Sequence, residues 1–319
     1  MAQQGNTPFG VYVTSPDYLG GVQDIPALAA VCRAQGVPLL VDNAHGAYLR
    51  FLPQNCHPIA QGAAMCCDSA HKTLPVVTGG AYLHLAHDAP VQDEAAVRGA
   101  LALFGSTSPS YLILQSLDAC NAVLAGDYPR RLVQCCAALE GLRSSLNKTA
   151  AARQCPVPLA VAGAQQEPMK LTLDAAALGC TGTTLAEALR RAQMECEYAD
   201  PRYVVLMFTP ENPPQDYTRL QTALEQLLAA VPAGLPRPEN RAGEFAALQQ
   251  QAVQRCTIRQ AVLGAQVRVP VHKAQGRVCA MPTVSCPPAI PVAVSGEEIT
   301  PAAIALMQRY GIEELSVLR

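Results

Sequence analysis

The chain has 319 residues, half of them apolar and 15% charged, the balance of a globular protein with room for two or three cores rather than of a disordered one. Its 23 basic and 25 acidic residues leave a net charge of −2 and there is no basic run, which excludes nucleic acid and anionic membrane surfaces as principal partners. No apolar run reaches the roughly eighteen residues of a spanning helix, and the first residues carry no basic and then apolar leader. A cytoplasmic protein without a membrane partner is the expectation. Thirteen cysteines, among them Cys32, Cys66, Cys67, Cys120, Cys135 and Cys136, lie in apolar segments of a chain too large to need disulfide staples, so reduced thiols are expected. With no Cys-x-x-Cys pair and no His/Cys grouping at zinc spacing, no metal site is expected.

Phe9 to Val13 reads as a buried strand and Ile25 to Gln35 as a helix stopped by Gly36. Pro38 to Asp42, Ala63 to Asp68 and Gly80 to Leu85 read as three further strands. Short apolar strands separated by helices predict an α/β fold with a mostly parallel sheet covered on both faces. Ligands of such sheets sit beyond the carboxyl ends of the strands. Three amphipathic helices follow, over Val91 to Phe104, Ser110 to Leu124 and Pro129 to Leu146, a run suited to the back of a domain or to a dimer face. From about Pro168 the pattern becomes that of a small α+β domain. Its strands are Met169 to Leu173 and Tyr203 to Thr209, and its helices Thr184 to Met194 and Asp216 to Ala230. Proline-rich Val231 to Pro238 reads as a linker into a third piece rich in Val and Pro, which ends in a helix over Pro301 to Tyr310. The expected division is 1–150, 151–235 and 236–319, the last piece α+β as well.

Two of these strands end in chemistry. Val41-Asp-Asn-Ala-His-Gly46 places a carboxylate, Asp42, at the end of an apolar run, and Asp68-Ser-Ala-His-Lys-Thr73 places Lys72 after another. A strand-end carboxylate followed about thirty residues later by a strand-end lysine is what pyridoxal 5'-phosphate needs. The amine forms a Schiff base with the cofactor aldehyde, and the carboxylate keeps the pyridine nitrogen protonated. Taken singly, Lys72 reads as a surface lysine and Asp42 as a cap for the next helix.

Together with Thr14-Ser-Pro-Asp-Tyr18, Ser106-Thr-Ser-Pro-Ser-Tyr111, Glu197-Tyr-Ala-Asp200, Leu206-Met-Phe-Thr-Pro-Glu-Asn212, Gly276-Arg-Val-Cys-Ala280 and Pro287-Pro-Ala-Ile-Pro291 with Gly296-Glu297, these segments resemble the Orn/Lys/Arg decarboxylase family. The resemblance spans nearly the whole chain. It implies the aminotransferase-like large domain of fold-type-I pyridoxal phosphate enzymes, a small domain and a family C-terminal domain. Members of the family carry a sizeable N-terminal portion before the Ser-Pro-x-Tyr segment, with a phosphate loop and a residue that stacks on the cofactor ring. That portion is expected to be missing here, leaving an exposed sheet edge and apolar surface. Asn43, where close relatives usually have a second acid, and Gly79-Gly80 are smaller departures.

The activity implied is α-decarboxylation of arginine, lysine or ornithine, a small-molecule amino-acid substrate, in a homodimer or larger assembly. By the same resemblance Lys72 carries the cofactor, Asp42 meets the pyridine nitrogen, and His45 lies near the ring edge or its phenolic oxygen. Ser69 donates to the phosphate, and Thr14, Ser15 and Tyr18 line the pocket. His71 contacts the phosphate, meets the substrate carboxylate, or helps return a proton to Cα, roles that spacing does not separate. Thr107 and Ser108 reach the phosphate of a neighbouring subunit, or Ser108 simply caps the helix starting near Ser110. Glu297 reads as a turn glutamate, with contact to a distal substrate amine as the alternative. Other chemistry on the same cofactor, and a non-catalytic fragment needing a separate N-terminal half, are the rival readings.

Overall fold

The computed structural model describes residues 8–106, 108–236, 248, 250–281, 283–285 and 290–319. Strands β1 (Val11–Thr14), β2 (Leu39–Asp42) and β3 (Met65–Asp68) lie side by side in that order and run parallel. β4 (Tyr82–Leu85) closes the far edge antiparallel to β3. The sheet is therefore mostly parallel, as expected, with one reversed strand.

Helix α1 (Ile25–Ala34) makes the crossover from β1 to β2. Asp24 starts it by accepting the Ala27 N–H at 3.1 Å, Pro26 fits the donor-free first turn, and Gly36 follows its end at a φ of +66°. Its Ile25, Ala29 and Cys32 pack with Leu39, Val41, Ala63 and Cys66 into a core on one face of the sheet. Each large side chain in that core contributes about 1.5–3 kcal/mol.

The strand expected to be buried over Phe9 to Val13 begins at Val11 and is half-buried, on one face only. Phe9 is 95% exposed and Tyr12 64%. Val11 and Val13 pack against the core on the α1 face, while Tyr12 points to the opposite face, which is left open at β1, the edge of this sheet among the described residues.

Beyond β4 come α3 (Glu94–Ala102), α4 (Tyr111–Ala125) and α5 (Tyr128–Ala152). Helix α3 has no buried residue, and Leu101, Leu103, Phe104, Tyr111 and Leu112 leave an exposed apolar surface around the α3–α4 turn. Helix α5 is instead deeply packed through Leu132, Leu139 and Leu146, and α7 (Pro214–Ala230) lies along it. Between them in sequence are β5 (Lys170–Asp174), α6 (Gly182–Arg191), β6 (Tyr198–Ala199) and β7 (Tyr203–Met207), whose strands form a sheet in the order β5-β7-β6.

Toward the C-terminus, β8 (Gln266–Pro270) pairs antiparallel with β11 (Glu314–Leu318), and β9 (Thr283–Ser285) with β10 (Ile290–Ala293). The helix Pro301–Arg309 packs Ala303, Leu306 and Met307 with Val271, Ile299, Leu315 and Val317 into a separate core. The chain forms two compact units. One comprises Met1–Ala152, Ala160–Leu173 and Val205–Ala230, the other Arg153–Leu159, Asp174–Val204 and Val231–Arg319. Among the described residues no helix is long and apolar enough to cross a membrane.

Candidate active site

Parallel pairing of β2 with β3 puts Asp42 opposite Cys67, so the turns that follow these strands leave the same end of the sheet side by side. The first turn carries Asn43 to Gly46, and the second becomes the short helix α2 within Ala70–Thr73. Across this junction the Lys72 Nζ lies 3.2 Å from the His45 Nε2. The two segments singled out in the sequence meet there. The His45 ring also stands edge-on to Tyr18, with centroids 5.1 Å apart.

His45 is buried, and burial, then Lys170, then Lys72 lower its pKa to about 3. The ring is neutral at ordinary pH and accepts from the Lys72 ammonium at Nε2, which leaves the proton on Nδ1. That Nδ1 is buried without a hydrogen-bond partner. That nitrogen lies across the ring from the Nε2 that meets Lys72, and as an orphaned donor it suits an anionic or phenolic oxygen. This is the observation by which the residues fit pyridoxal phosphate.

Asp42 accepts the Ala44 N–H at 3.1 Å, and its charge lies near the Tyr12 phenol. Partial burial and the Asp42 charge push Tyr12 up to about 12. Thr14 pairs with Asp42 on exposed β1. Ser15 is buried, and its Oγ accepts the Gln23 N–H at 3.1 Å, so its hydroxyl holds the turn. Ser69 occupies the N-cap position of α2 but makes no side-chain capping bond, which leaves its hydroxyl available. His71 donates from Nδ1 to the Gly80 carbonyl at 2.9 Å, fixing the ring against the chain that leads into β4.

Ser108 is exposed and joined only to Ser106, through its backbone; Ser110 holds the N-cap position of α4. Thr107 lies outside the described residues. Glu297 accepts the Val294 N–H at 2.8 Å in its own turn.

Several residues at the site were not anticipated. Lys170, almost fully buried in β5, donates to the carbonyls of Asp17 at 2.9 Å and Tyr18 at 3.2 Å, and sits 5.5 Å from the Tyr18 ring. Thr172, two residues on, donates to the Leu19 carbonyl at 2.7 Å. Together they clamp the loop that presents Tyr18 to His45. Glu167 is buried, accepts from the Tyr48 hydroxyl and from the Met169 N–H at 2.8 Å, and is raised by burial against the opposing pull of Lys170. The signal available was a lysine inside a five-residue run that is otherwise strand-like, Lys170 to Asp174. On the α1 face of the sheet, His57, Asp68 and His84 bring their side chains together, which spacing alone did not suggest.

This fold is shared with a decarboxylase and an aminotransferase of known structure. The constitutive lysine decarboxylase of E. coli superposes with a TM-score of 0.72 at 17% identity, over 98% of this chain and 58% of that one. The ornithine aminotransferase of Toxoplasma gondii gives 0.50 at 11% identity, over 70% of this chain and 51% of that one. At family level, the model for the Orn/Lys/Arg decarboxylase major domain matches residues 2–215 and that for the family's C-terminal domain residues 240–310. The chain belongs to the Orn/Lys/Arg decarboxylase family. Among curated relatives, the arginine decarboxylase of Bacillus subtilis is 27% identical over 91% of this chain and 59% of its own length. The uncharacterized protein YaaO of the same organism is 29% identical over 94% and 61%. The chain thus spans about 60% of the length of these relatives.

Proposed function

We propose that this chain carries the pyridoxal-phosphate-binding site of a decarboxylase acting on arginine, lysine or ornithine, releasing carbon dioxide and giving agmatine or a diamine. The observation that carries the reading is the meeting of Lys72 with neutral His45 beyond the ends of β2 and β3, three residues from Asp42. Lys72 supplies the amine for the cofactor aldehyde. Asp42 accepts the N–H of the pyridine ring, as a charge-assisted hydrogen bond. His45 offers its orphaned Nδ1–H to a cofactor oxygen, and Ser69 its uncapped hydroxyl to the phosphate. When bound, the cofactor supplies an electron sink for the pair left by departing carbon dioxide. The protein orients the groups. His71, held by Gly80, is kept as a candidate proton donor, phosphate contact or substrate contact, Thr14, Ser15 and Tyr18 as pocket residues, and Thr107 and Ser108 as contacts to the phosphate of a neighbouring subunit.

The exposed apolar surface of Leu101, Leu103, Phe104, Tyr111 and Leu112 supports assembly with a second copy, since monomers seldom leave such patches bare. The cysteines of the described residues are all free thiols, which supports a reducing, cytoplasmic setting. The three-part division into 1–150, 151–235 and 236–319 is retained as a working domain scheme; the gap between the family matches, 216–239, supports its second boundary, while its first falls inside the major-domain match.

The test is an absorbance scan with added pyridoxal phosphate. A band near about 420 nm that is absent in Lys72→Ala supports the reading, by the known optics of lysine-bound cofactor. No band with wild-type protein overturns it. Production of carbon dioxide rather than keto acid from arginine, lysine or ornithine separates decarboxylation from other chemistry on the same cofactor.

A further inference from the structure

Behind the site, one carboxylate gathers several polar side chains. Asp68 is 4% exposed, and its Oδ1 accepts from the Asn43 Nδ2 at 2.7 Å. Its Oδ2 accepts from the His57 Nε2 at 3.1 Å and the His84 Nε2 at 3.0 Å, and the Cys66 thiol lies 3.7 Å from Oδ1. The grouping has the composition of a metal site, yet the Ile59 N–H faces the His57 Nδ1 at 3.4 Å. That contact puts the ring proton on Nε2, making His57 a donor to the carboxylate rather than a lone-pair ligand. Burial alone would raise the Asp68 pKa, and the hydrogen bonds from His57, His84 and Asn43 override it and hold the group well below the usual carboxylate range.

Asn43 is the link to the site. It is fully buried and follows Asp42 directly. Its backbone N–H donates to the Cys67 carbonyl at 2.9 Å and its carbonyl accepts the Gly46 N–H at 2.8 Å. Its Oδ1 is buried with no partner, so the amide gives up one hydrogen bond to aim its Nδ2 at Asp68. Asp68 in turn precedes Lys72 by four residues. We propose that Asp68 is a positioning residue, and that its hydrogen bond with Asn43 locks the turn carrying Asp42 to the segment carrying Lys72. The functional half of this proposal rests on the pyridoxal phosphate reading above. The lock matters because a misplacement of roughly 1 Å between reacting groups can cost about a hundredfold in rate.

The test exchanges the two groups. Asn43→Asp sets two buried carboxylates within hydrogen-bond distance, a pair that cannot both stay ionised. At pH 7.5 it is expected to weaken pyridoxal phosphate binding at least tenfold and to lower the thermal midpoint of the cofactor-free protein. Asn43→Asp combined with Asp68→Asn restores the pairing with reversed polarity. The new amide at position 68 offers its oxygen to both histidines and its nitrogen to the new carboxylate at position 43. Affinity is expected to return to within about threefold of wild type. A double variant no better than Asn43→Asp overturns the lock. So does a single variant that lowers the thermal midpoint while leaving cofactor affinity intact, because a merely structural role does that. If wild-type protein binds no pyridoxal phosphate, the cofactor reading and with it the functional half fall. Rescue of the thermal midpoint by the double variant then still supports the contact as a lock, and its absence overturns that too.

Discussion

Acid should unfold this protein through His45 before it protonates most carboxylates. The histidine is held neutral with its pKa lowered to about 3, against about 6.5 in an unfolded chain. Above pH 6.5 neither state binds the proton and His45 contributes nothing to the pH dependence. Between pH 6.5 and about 3 the unfolded chain takes up a proton that the folded one refuses, so stability falls as pH falls. The slope approaches about 1.4 kcal/mol per pH unit, and the total is about 5 kcal/mol when the folded value is reached. His45→Gln keeps an acceptor for Lys72 and removes the titration. Hydrogen exchange of the β1–β2 backbone in wild type and variant, at pH 7.0, 6.0 and 5.0, reports the local opening free energy. The wild type is expected to lose about 2 kcal/mol more than the variant over this range. Burial is the leading cause of the shift, so Lys72→Met should keep most of the slope. Parallel pH profiles for wild type and His45→Gln, or a His45 ring signal titrating near 6.5 by NMR, would refute the assignment of a neutral buried ring.

Tyr48→Phe removes the phenolic donor from buried Glu167 and leaves a carboxylate short of one charged hydrogen bond. A loss of about 1.5–3 kcal/mol is expected in urea unfolding, and a midpoint within error of wild type would contradict the account of Glu167 as a buried, satisfied acid. Leu139→Ala, on the fully buried stripe of α5, is expected to cost about 2–5 kcal/mol. Val133→Ala on the same helix is 42% exposed at that side chain and should stay within about 0.5 kcal/mol, so similar losses in the two would mean that α5 is packed differently.

What could be read from the sequence was local. The strand ends at Asp42 and Asp68 follow short apolar runs, and parallel pairing does the rest, bringing His45 to Lys72 without any further device. The direction of β4 was not legible, because an apolar run has the same composition read either way; the Gly79-Gly80 pair ahead of it, with Gly79 at a φ of +99°, marks where the chain reverses. The burial of β1 depended on what covers the face opposite α1, and an apolar run does not say which of its faces will be covered. Lys170 was hidden for a different reason. Its contacts with Asp17 and Tyr18 cross about 150 residues, and a two-residue period says that a lysine sits in a strand without saying which carbonyls it reaches.

The unsatisfied polar atoms of the described residues add an argument that neither motif nor fold supplies. Native proteins pair nearly all buried polar groups, and exceptions concentrate where a ligand or a reaction uses them. Six side chains carry such an atom, and three of them, Asn43, His45 and Thr73, lie in the two strand-end segments. The remaining three, Tyr82, Arg143 and Ser295, are dispersed over β4, α5 and the C-terminal unit. The Asn43 orphan is explained by the bond its amide makes to Asp68, and of the two that remain, the Thr73 hydroxyl and the His45 donor, the latter belongs to the ring that meets exposed Lys72 and would be satisfied by a bound acceptor. The cost of leaving it unpaired, about 1–3 kcal/mol, is therefore carried by the fold at the place where pyridoxal phosphate is proposed to bind.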